Sequence, residues 1–346
     1  MRLHVTDLQI GDRITEDVFN HYGLLVLSAN TVLDEATIAK LYAHHIDYVY
    51  VERVPARTLG EGPIRSKEQL QESFEACLRT VNLLFNQVVE QGTVDPELVD
   101  AGFTPLADSF RLEADLVSLM LSLEQKDDYT YRHSVQVGML SYYLAKWKGE
   151  NEETAIRIGK AGFLHDIGKS KIDPAILNKP ARLTAEEYEH VKTHTLHGFD
   201  ILRATFGDDS LEAIVALQHH ERNDGSGYPH GLRGTEIRPE AKLVAIADIF
   251  SAMTSKRAFQ DEQDMLQVLK ELHQLSFGQL DPTLVYIFIR NMIPQFIGKK
   301  VELNDGSIGT VVMTNPTDLF RPLVQLESGF VDLSKSPNLS IVRVLP

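Results

Sequence analysis

The sequence predicts a mainly α protein, with a helical core between a small α+β unit at the N-terminus and a small β appendage at the C-terminus. Three observations carry this reading. Apolar residues recur at helical spacing through 66–91 and again through most of 130–293. Short runs rich in branched and aromatic residues lie at both ends of the chain. Asp-Gly, Asn-Pro and Ser-Pro pairs divide the C-terminal runs as turns do.

Residues 1–54 form the α+β unit. Strands are expected at 23–27 and 47–51, with a helix at 34–45 that spaces Ile38, Leu41 and Tyr42 along one face. Residues 55–125 are read as a linker and helical connector. The linker is Gly- and Pro-containing at 57–63. A helix follows over 66–91, with Leu70, Phe74, Cys77, Val81, Leu84 and Val88 on its apolar face, Ser66 as N-cap and Gly92 as stop. A second is expected over 106–124. Residues 126–293 are the helical core. Residues 294–346 hold four expected strands, at 300–303, 309–312, 323–326 and 341–344.

The net charge of −15 argues against nonspecific binding to DNA, RNA or anionic lipid, because no basic excess exists to displace counterions. An anionic substrate would need local cations to reach its site. Cys77 is the only cysteine, which excludes an intrachain disulfide and a Cys-based zinc site. No apolar run has the length to cross a bilayer, and the N-terminus lacks a signal-peptide core. These features predict a cytoplasmic protein without membrane insertion.

The core holds residue types that packing alone explains poorly. They are His165-Asp166 after the apolar run 161–164, His194, His219-His220 before a Gly-rich turn, and Asp248 within the apolar run 243–250. Imidazole and carboxylate are natural ligands of first-row divalent metals. Adjacent helical residues point about 100° apart, so His165 can face one ion while the two oxygens of Asp166 reach toward a second. Asp248 is a lone charge in an apolar helix, and a buried unpaired carboxylate is costly without a cation. His133, among Val135, Val137 and Leu140, is by itself an ordinary core histidine and gains weight only from this company.

Rival motifs fail on spacing. His190 and His194 have zincin spacing, but Val191 stands where a glutamate is required. Gly162 to Ser170 has one residue too many for a phosphate-binding P-loop.

The ordered series resembles the HD-GYP family, a branch of the HD-domain metal-dependent phosphohydrolases. The match includes 127–134, His165-Asp166-Ile167-Gly168-Lys169, 176–180, 183–187, His194 with Gly198, 219–229 ending in Gly227-Tyr228-Pro229, Asp248 and Arg257. The resemblance implies an HD-type helical bundle whose metals are held by His133, His165, Asp166, His194, His219, His220 and Asp248. Asp166 would bridge two ions, with His133, His165 and Asp248 on one and His194, His219 and His220 on the other. The implied cofactor is two divalent ions, iron or manganese. The implied activity is hydrolysis of a 3′–5′ phosphodiester of cyclic di-GMP to linear pGpG, with GMP as a further product. Two adjacent ions can hold a bridging hydroxide in line with phosphorus. Lys169 and Asp166 are the expected catalytic residues. Lys169 would meet a phosphate oxygen, Arg257 a second phosphate, and Tyr228 a guanine.

This chain departs from the family pattern at several positions. Tyr129 replaces the glutamate that accompanies a third metal, which favours a two-metal site. Ser251 stands where Asp is common, and Ala258 and Gln260 alter the segment around Arg257. Two alternatives follow: a sensor that binds a cyclic dinucleotide without cleaving it, and a phosphodiesterase for another one such as cyclic GMP-AMP. A homodimer or a signalling partner engaging the flanking regions completes the expectations.

Overall fold

The computed structural model describes residues 2–5, 8, 11–20, 23–33, 35–44, 46–52, 67–110, 129–255, 264–315 and 317–345. The chain divides into two compact units, Met1–Arg65 and Ser66–Pro346.

In the first unit, β1 (Arg2–His4), β5 (Tyr48–Glu52) and β2 (Arg13–Ile14) form an antiparallel sheet in that order, beside a ribbon of β3 (Val18–Phe19) and β4 (Leu25–Leu27). Helix α1 (Glu35–Ala43) lies between β4 and β5 in the chain. Val49 and Val51 alternate with exposed Tyr48 and Tyr50, as period-two patterning requires, and they join Ile14, Leu33 and Leu41 in a small core. The expected strands and helix are present. The very short β1, β2 and β3 are additions that two- and three-residue strands do not reveal by pattern.

The second unit is a helical bundle. It comprises α2 (Lys67–Gln91), α3 (Pro96–Phe110), α4 (Tyr129–Lys148), α5 (Glu152–Leu164), α6 (Pro174–Leu177), α7 (Ala185–Lys192), α8 (His194–Phe206), α9 (Leu211–Gln218), α10 (Pro239–Thr254), α11 (Met265–Leu275) and α12 (Pro282–Met292). The expected apolar face of α2 is buried throughout. The proposed Ser66 cap lies outside the described residues. The helix expected over 106–124 instead begins at Pro96 and runs through Pro105. An interior proline normally breaks a helix, which is why periodicity alone misses the first ten residues. Residues 111–124 lie outside the described residues.

Helix α4 packs along α5, α8 against α9, and α10 across α4, so the ends of several helices converge. Side-chain caps fix where three of them start. Asn151 accepts from the Thr154 amide, Thr184 and Glu187 form a capping box, and Ser210 accepts from the Ala213 amide.

The C-terminal sheet has five strands in the order β10-β6-β7-β8-β9, namely Ile341–Val344, Lys300–Leu303, Ile308–Met313, Leu323–Leu326 and Gly329–Asp332. The fifth strand, β9, was not expected because Gly329 and Phe330 are exposed and no apolar alternation marks it. Val301, Leu303, Val311 and Val324 belong to the same buried core as the helices.

Candidate functional site

The helix ends bring the predicted ligand residues together. His133 projects from α4, and His165 caps the C-terminus of α5. Asp166 precedes a 3-10 turn over Ile167–Lys171, so Lys169 sits on that turn rather than on a continued α-helix. His194 is the first residue of α8, His219 caps α9 with His220 next, and Asp248 lies within α10. All are buried except His220, which is partly exposed.

They form two neighbouring groups suited to metal ions: His133, His165 and Asp248, and Asp166, His194, His219 and His220. The Asp166 carboxylate faces both. Its Oδ2 lies 3.3 Å from His165 Nε2 and 3.7 Å from His133 Nε2, while its Oδ1 lies 3.3 Å from His194 Nε2 and 3.9 Å from His219 Nε2. Asp248 spans the other edge, with Oδ1 3.1 Å from His133 Nε2 and Oδ2 3.8 Å from His220 Nδ1. Ligand atoms about 2.0–2.2 Å from a common ion stand roughly 3.0–3.5 Å apart, close to these separations.

The imidazoles are pre-oriented. His165 Nδ1 donates to the Gly162 carbonyl at 2.7 Å, His194 Nδ1 to Val191 at 2.7 Å, and His219 Nδ1 to Ala216 at 2.9 Å. Each bond leaves the Nε2 lone pair facing the carboxylates. His165 Nε2 and Asp166 Oδ1 are buried without a hydrogen bond. Such atoms are costly to leave unsatisfied, and a shared cation removes that cost. The residues therefore fit divalent ions.

Electrostatics agree. Burial pushes the pKa of His194 down to about 4, and those of His219 and His220 well below the ordinary imidazole value. Burial also lowers that of His133, against the opposing pull of Asp248. These rings are held neutral, as metal ligands must be. For His165, burial is outweighed by Asp166 and Asp248, which raise its pKa. Burial opposes ionisation of Asp166 and Asp248 too, but His165 and the Lys169 ammonium beside Asp166, and the hydrogen bond between His133 and Asp248, hold both carboxyls far below the usual range. Lys169 Nζ donates to Asp166 Oδ2 at 2.5 Å.

The Gly-rich turn closes over the second group. Tyr228 stacks on the His220 ring with centroids 4.6 Å apart, and Lys192 Nζ lies 5.4 Å from the Tyr228 centroid. Two residues that sequence reasoning did not single out shape this site. Glu221 is buried and accepts from the His230 amide at 2.7 Å and the Leu232 amide at 2.9 Å, which ties the turn down. Gln136 accepts from Ser251 Oγ at 2.9 Å, and Ser251 Oγ lies 3.0 Å from His133 Nδ1. Glu221 directly follows two ligand candidates, but nothing in its neighbours signals burial. Arg257 lies outside the described residues, and the Tyr129 side chain is likewise not described.

Residues 115–284 match the family model described as HD domain. This region is an HD domain. Its HD-GYP resemblance stands beside several curated relatives. A cyclic di-GMP phosphodiesterase of Thermotoga maritima is 42% identical over 189 residues, covering 54% of this chain and 51% of the relative. The cyclic di-GMP phosphodiesterase PA4108 of Pseudomonas aeruginosa is 33% identical over 207 residues, covering 60% and 50%. A 3′3′-cGAMP-specific phosphodiesterase of Vibrio cholerae is 36% identical over 170 residues, covering 49% and 39%. The chain thus spans about half or less of the length of these relatives. Among solved structures, the HDG"Y"P protein Bd1817 of Bdellovibrio bacteriovorus shares the fold, with a TM-score of 0.53 at 16% identity over 83% of this chain and 97% of that one.

Proposed function

We propose that the HD domain is a metal-dependent phosphodiesterase that opens cyclic di-GMP at one 3′–5′ linkage to give linear pGpG. One observation carries this reading: the two oxygens of Asp166 point into two adjacent ligand groups, each with buried imidazoles. Names of relatives support the substrate.

His133, His165 and Asp248 would hold one ion, His194, His219 and His220 the other, with Asp166 shared. Bound divalent ions supply Lewis acidity to the phosphoryl group and lower the pKa of water. Imidazole and carboxylate donors without thiolate accord with iron or manganese. In the reaction water adds to phosphorus, the bond to the 3′ oxygen breaks, and that oxygen takes a proton.

Lys169, whose Nζ donates to Asp166, would donate to a phosphate oxygen of the substrate. Tyr228 covers the edge of the site where a guanine would lie, and Arg257 is proposed for the second phosphate. Two ions rather than three are proposed, since Tyr129 offers no carboxylate. The single buried Cys77 is compatible with a reducing cytoplasm. No helix among the described residues is long and apolar enough to cross a membrane.

A cyclic GMP-AMP substrate is the second reading, favoured by the Vibrio cholerae relative. The test incubates anaerobically purified protein, loaded with iron or manganese, with each cyclic dinucleotide and analyses products, with His165→Ala/Asp166→Ala alongside. Cleavage of cyclic di-GMP that stops at pGpG and vanishes in the double variant is expected. Preferential cleavage of cyclic GMP-AMP would shift the substrate. Tight nucleotide binding without turnover by metal-loaded protein would replace the enzyme with a sensor.

A further inference from the structure

His165, His194 and His219 each give Nδ1–H to a backbone carbonyl, which can only accept. His133 differs, because its Nδ1 faces the Ser251 hydroxyl at 3.0 Å. A hydroxyl can donate or accept, so Ser251 alone does not fix which ring nitrogen of His133 carries the proton. The next bond does. Ser251 Oγ donates to Gln136 Oε1 at 2.9 Å, and the Ser255 hydroxyl donates to the same oxygen at 3.2 Å. With its hydrogen directed to Gln136, Ser251 is left to accept from His133 Nδ1–H.

The consequence reaches the ligand group. His133 Nε2 then presents a lone pair 3.1 Å from Asp248 Oδ1 and 3.7 Å from Asp166 Oδ2. Without a cation Nε2–H would instead donate to Asp248 Oδ1, so the relay selects the Nδ1–H tautomer when a cation lies between His133 and the carboxylates. Ser251 is fully buried and Gln136 is 7% exposed, so water does not readily replace either partner.

We infer that Gln136 and Ser251 form a neutral relay that holds His133 with Nδ1 protonated and Nε2 presented to a divalent cation in the His133–His165–Asp248 group. Both are positioning residues and neither touches the ion. The relay spans α4 and α10, so it also fixes the angle between the two helices that supply His133 and Asp248. The inference rests on the proposal that this group holds a metal ion.

The test uses the full chain and Mn2+ titrated into metal-free protein, with bound equivalents and affinities measured. Loss of an orienting partner typically weakens metal affinity by about 10–100-fold. Ser251→Ala is expected to weaken one of two equivalents by that factor and leave the other unchanged. Gln136→Leu should act in the same direction. Ser251→Asp, which can accept from Nδ1–H directly, should retain both equivalents. A purely structural role would lower the melting temperature without selecting one equivalent.

A second readout uses a diamagnetic ion. Imidazole 15N shifts of the Zn2+-loaded protein should report Nδ1–H and a metal-bound Nε2 for His133 in the wild type, and partial loss of that signature in Gln136→Leu. Unchanged affinities in both Ser251→Ala and Gln136→Leu, or unchanged 15N shifts, overturn the relay. Wild-type protein that binds no Mn2+ would sink the proposed function, whereas two equivalents with affinities unmoved by either variant would sink the relay alone.

Discussion

Gly168 lies against the His194 carbonyl so closely that a β-carbon on Gly168 would fall 2.0 Å from that oxygen and 2.4 Å from the Gly198 amide nitrogen. Both obstacles are backbone, so neither can rotate aside. The contact seats the 3-10 turn carrying Lys169 against the start of α8, and so sets the spacing between Asp166 and His194. Gly168→Ala is therefore expected to destabilise by about 1–3 kcal/mol or more through overpacking, and to weaken binding at the Asp166–His194 group. Gly198→Ala should be milder, because its added carbon meets Ala216 Cβ at 3.2 Å. Melting temperatures and metal stoichiometry of the two variants check this order. Equal melting temperatures would contradict it.

Much of the site was legible because charge stands out against apolar sequence. Asp248 in its apolar run and His165-Asp166 after another needed no structure to be noticed. The longer strands at both ends were legible from their branched and aromatic residues, whereas β1, β2 and β3 are too short to show a pattern and the first residues of β9 are exposed. What stayed hidden depends on contacts distant in sequence. Glu221 reads as an ordinary turn acid until the His230 and Leu232 amides are seen to converge on it. The service of Gln136 to His133 passes through Ser251, more than a hundred residues away. Gly168 was recognised within its motif, but its need for a bare backbone came only with the approach of α8.

Asp166→Asn tests whether one carboxylate serves both groups. The variant keeps shape and removes charge, leaving the Lys169 ammonium without its partner. Binding of both metal equivalents should weaken together, and turnover of cyclic di-GMP should fall at least about a hundredfold, the upper range for loss of a mere orienting partner. Asp248→Asn, whose Oδ1 faces His133 and His165, should act first on one equivalent. If Asp166→Asn also spares one equivalent in a manganese titration, the shared-carboxylate reading is wrong.

Glu221→Ala should loosen the turn that carries Tyr228. The substitution removes the carboxylate that both amides now bond, at a cost of about 1 kcal/mol for each lost hydrogen bond. Hydrogen exchange should accelerate at the His230 and Leu232 amides before it does in α4 or α5. Because Tyr228 stacks on His220, KM for the cyclic dinucleotide should rise more than kcat falls. Unchanged exchange at these two amides would remove Glu221 from any positioning role.

The buried histidines predict how metal-free protein responds to acid. In the folded state His194 has its pKa pushed down to about 4 by burial, from an ordinary 6.5, so above pH 6.5 it is neutral in both folded and unfolded chains. As pH falls from 6.5 toward 4 the unfolded chain takes up a proton that the folded chain refuses, and stability is lost through that window. The difference amounts to about 3 kcal/mol for this one residue. His133, His219 and His220 are shifted in the same direction. His165 is shifted upward and opposes them, its contribution being present at low pH and lost as pH rises through its folded value. Four downward shifts against one upward shift give a net loss of stability on acidification. Melting temperatures of metal-free protein should therefore decline between pH 6.5 and 4, and His194→Gln should flatten the decline by removing one of its contributors. A bound ion adds to the slope, since protons then compete with it for the same nitrogens. A flat profile across this range, with or without metal, would mean that these rings do not sit neutral and buried as the geometry requires.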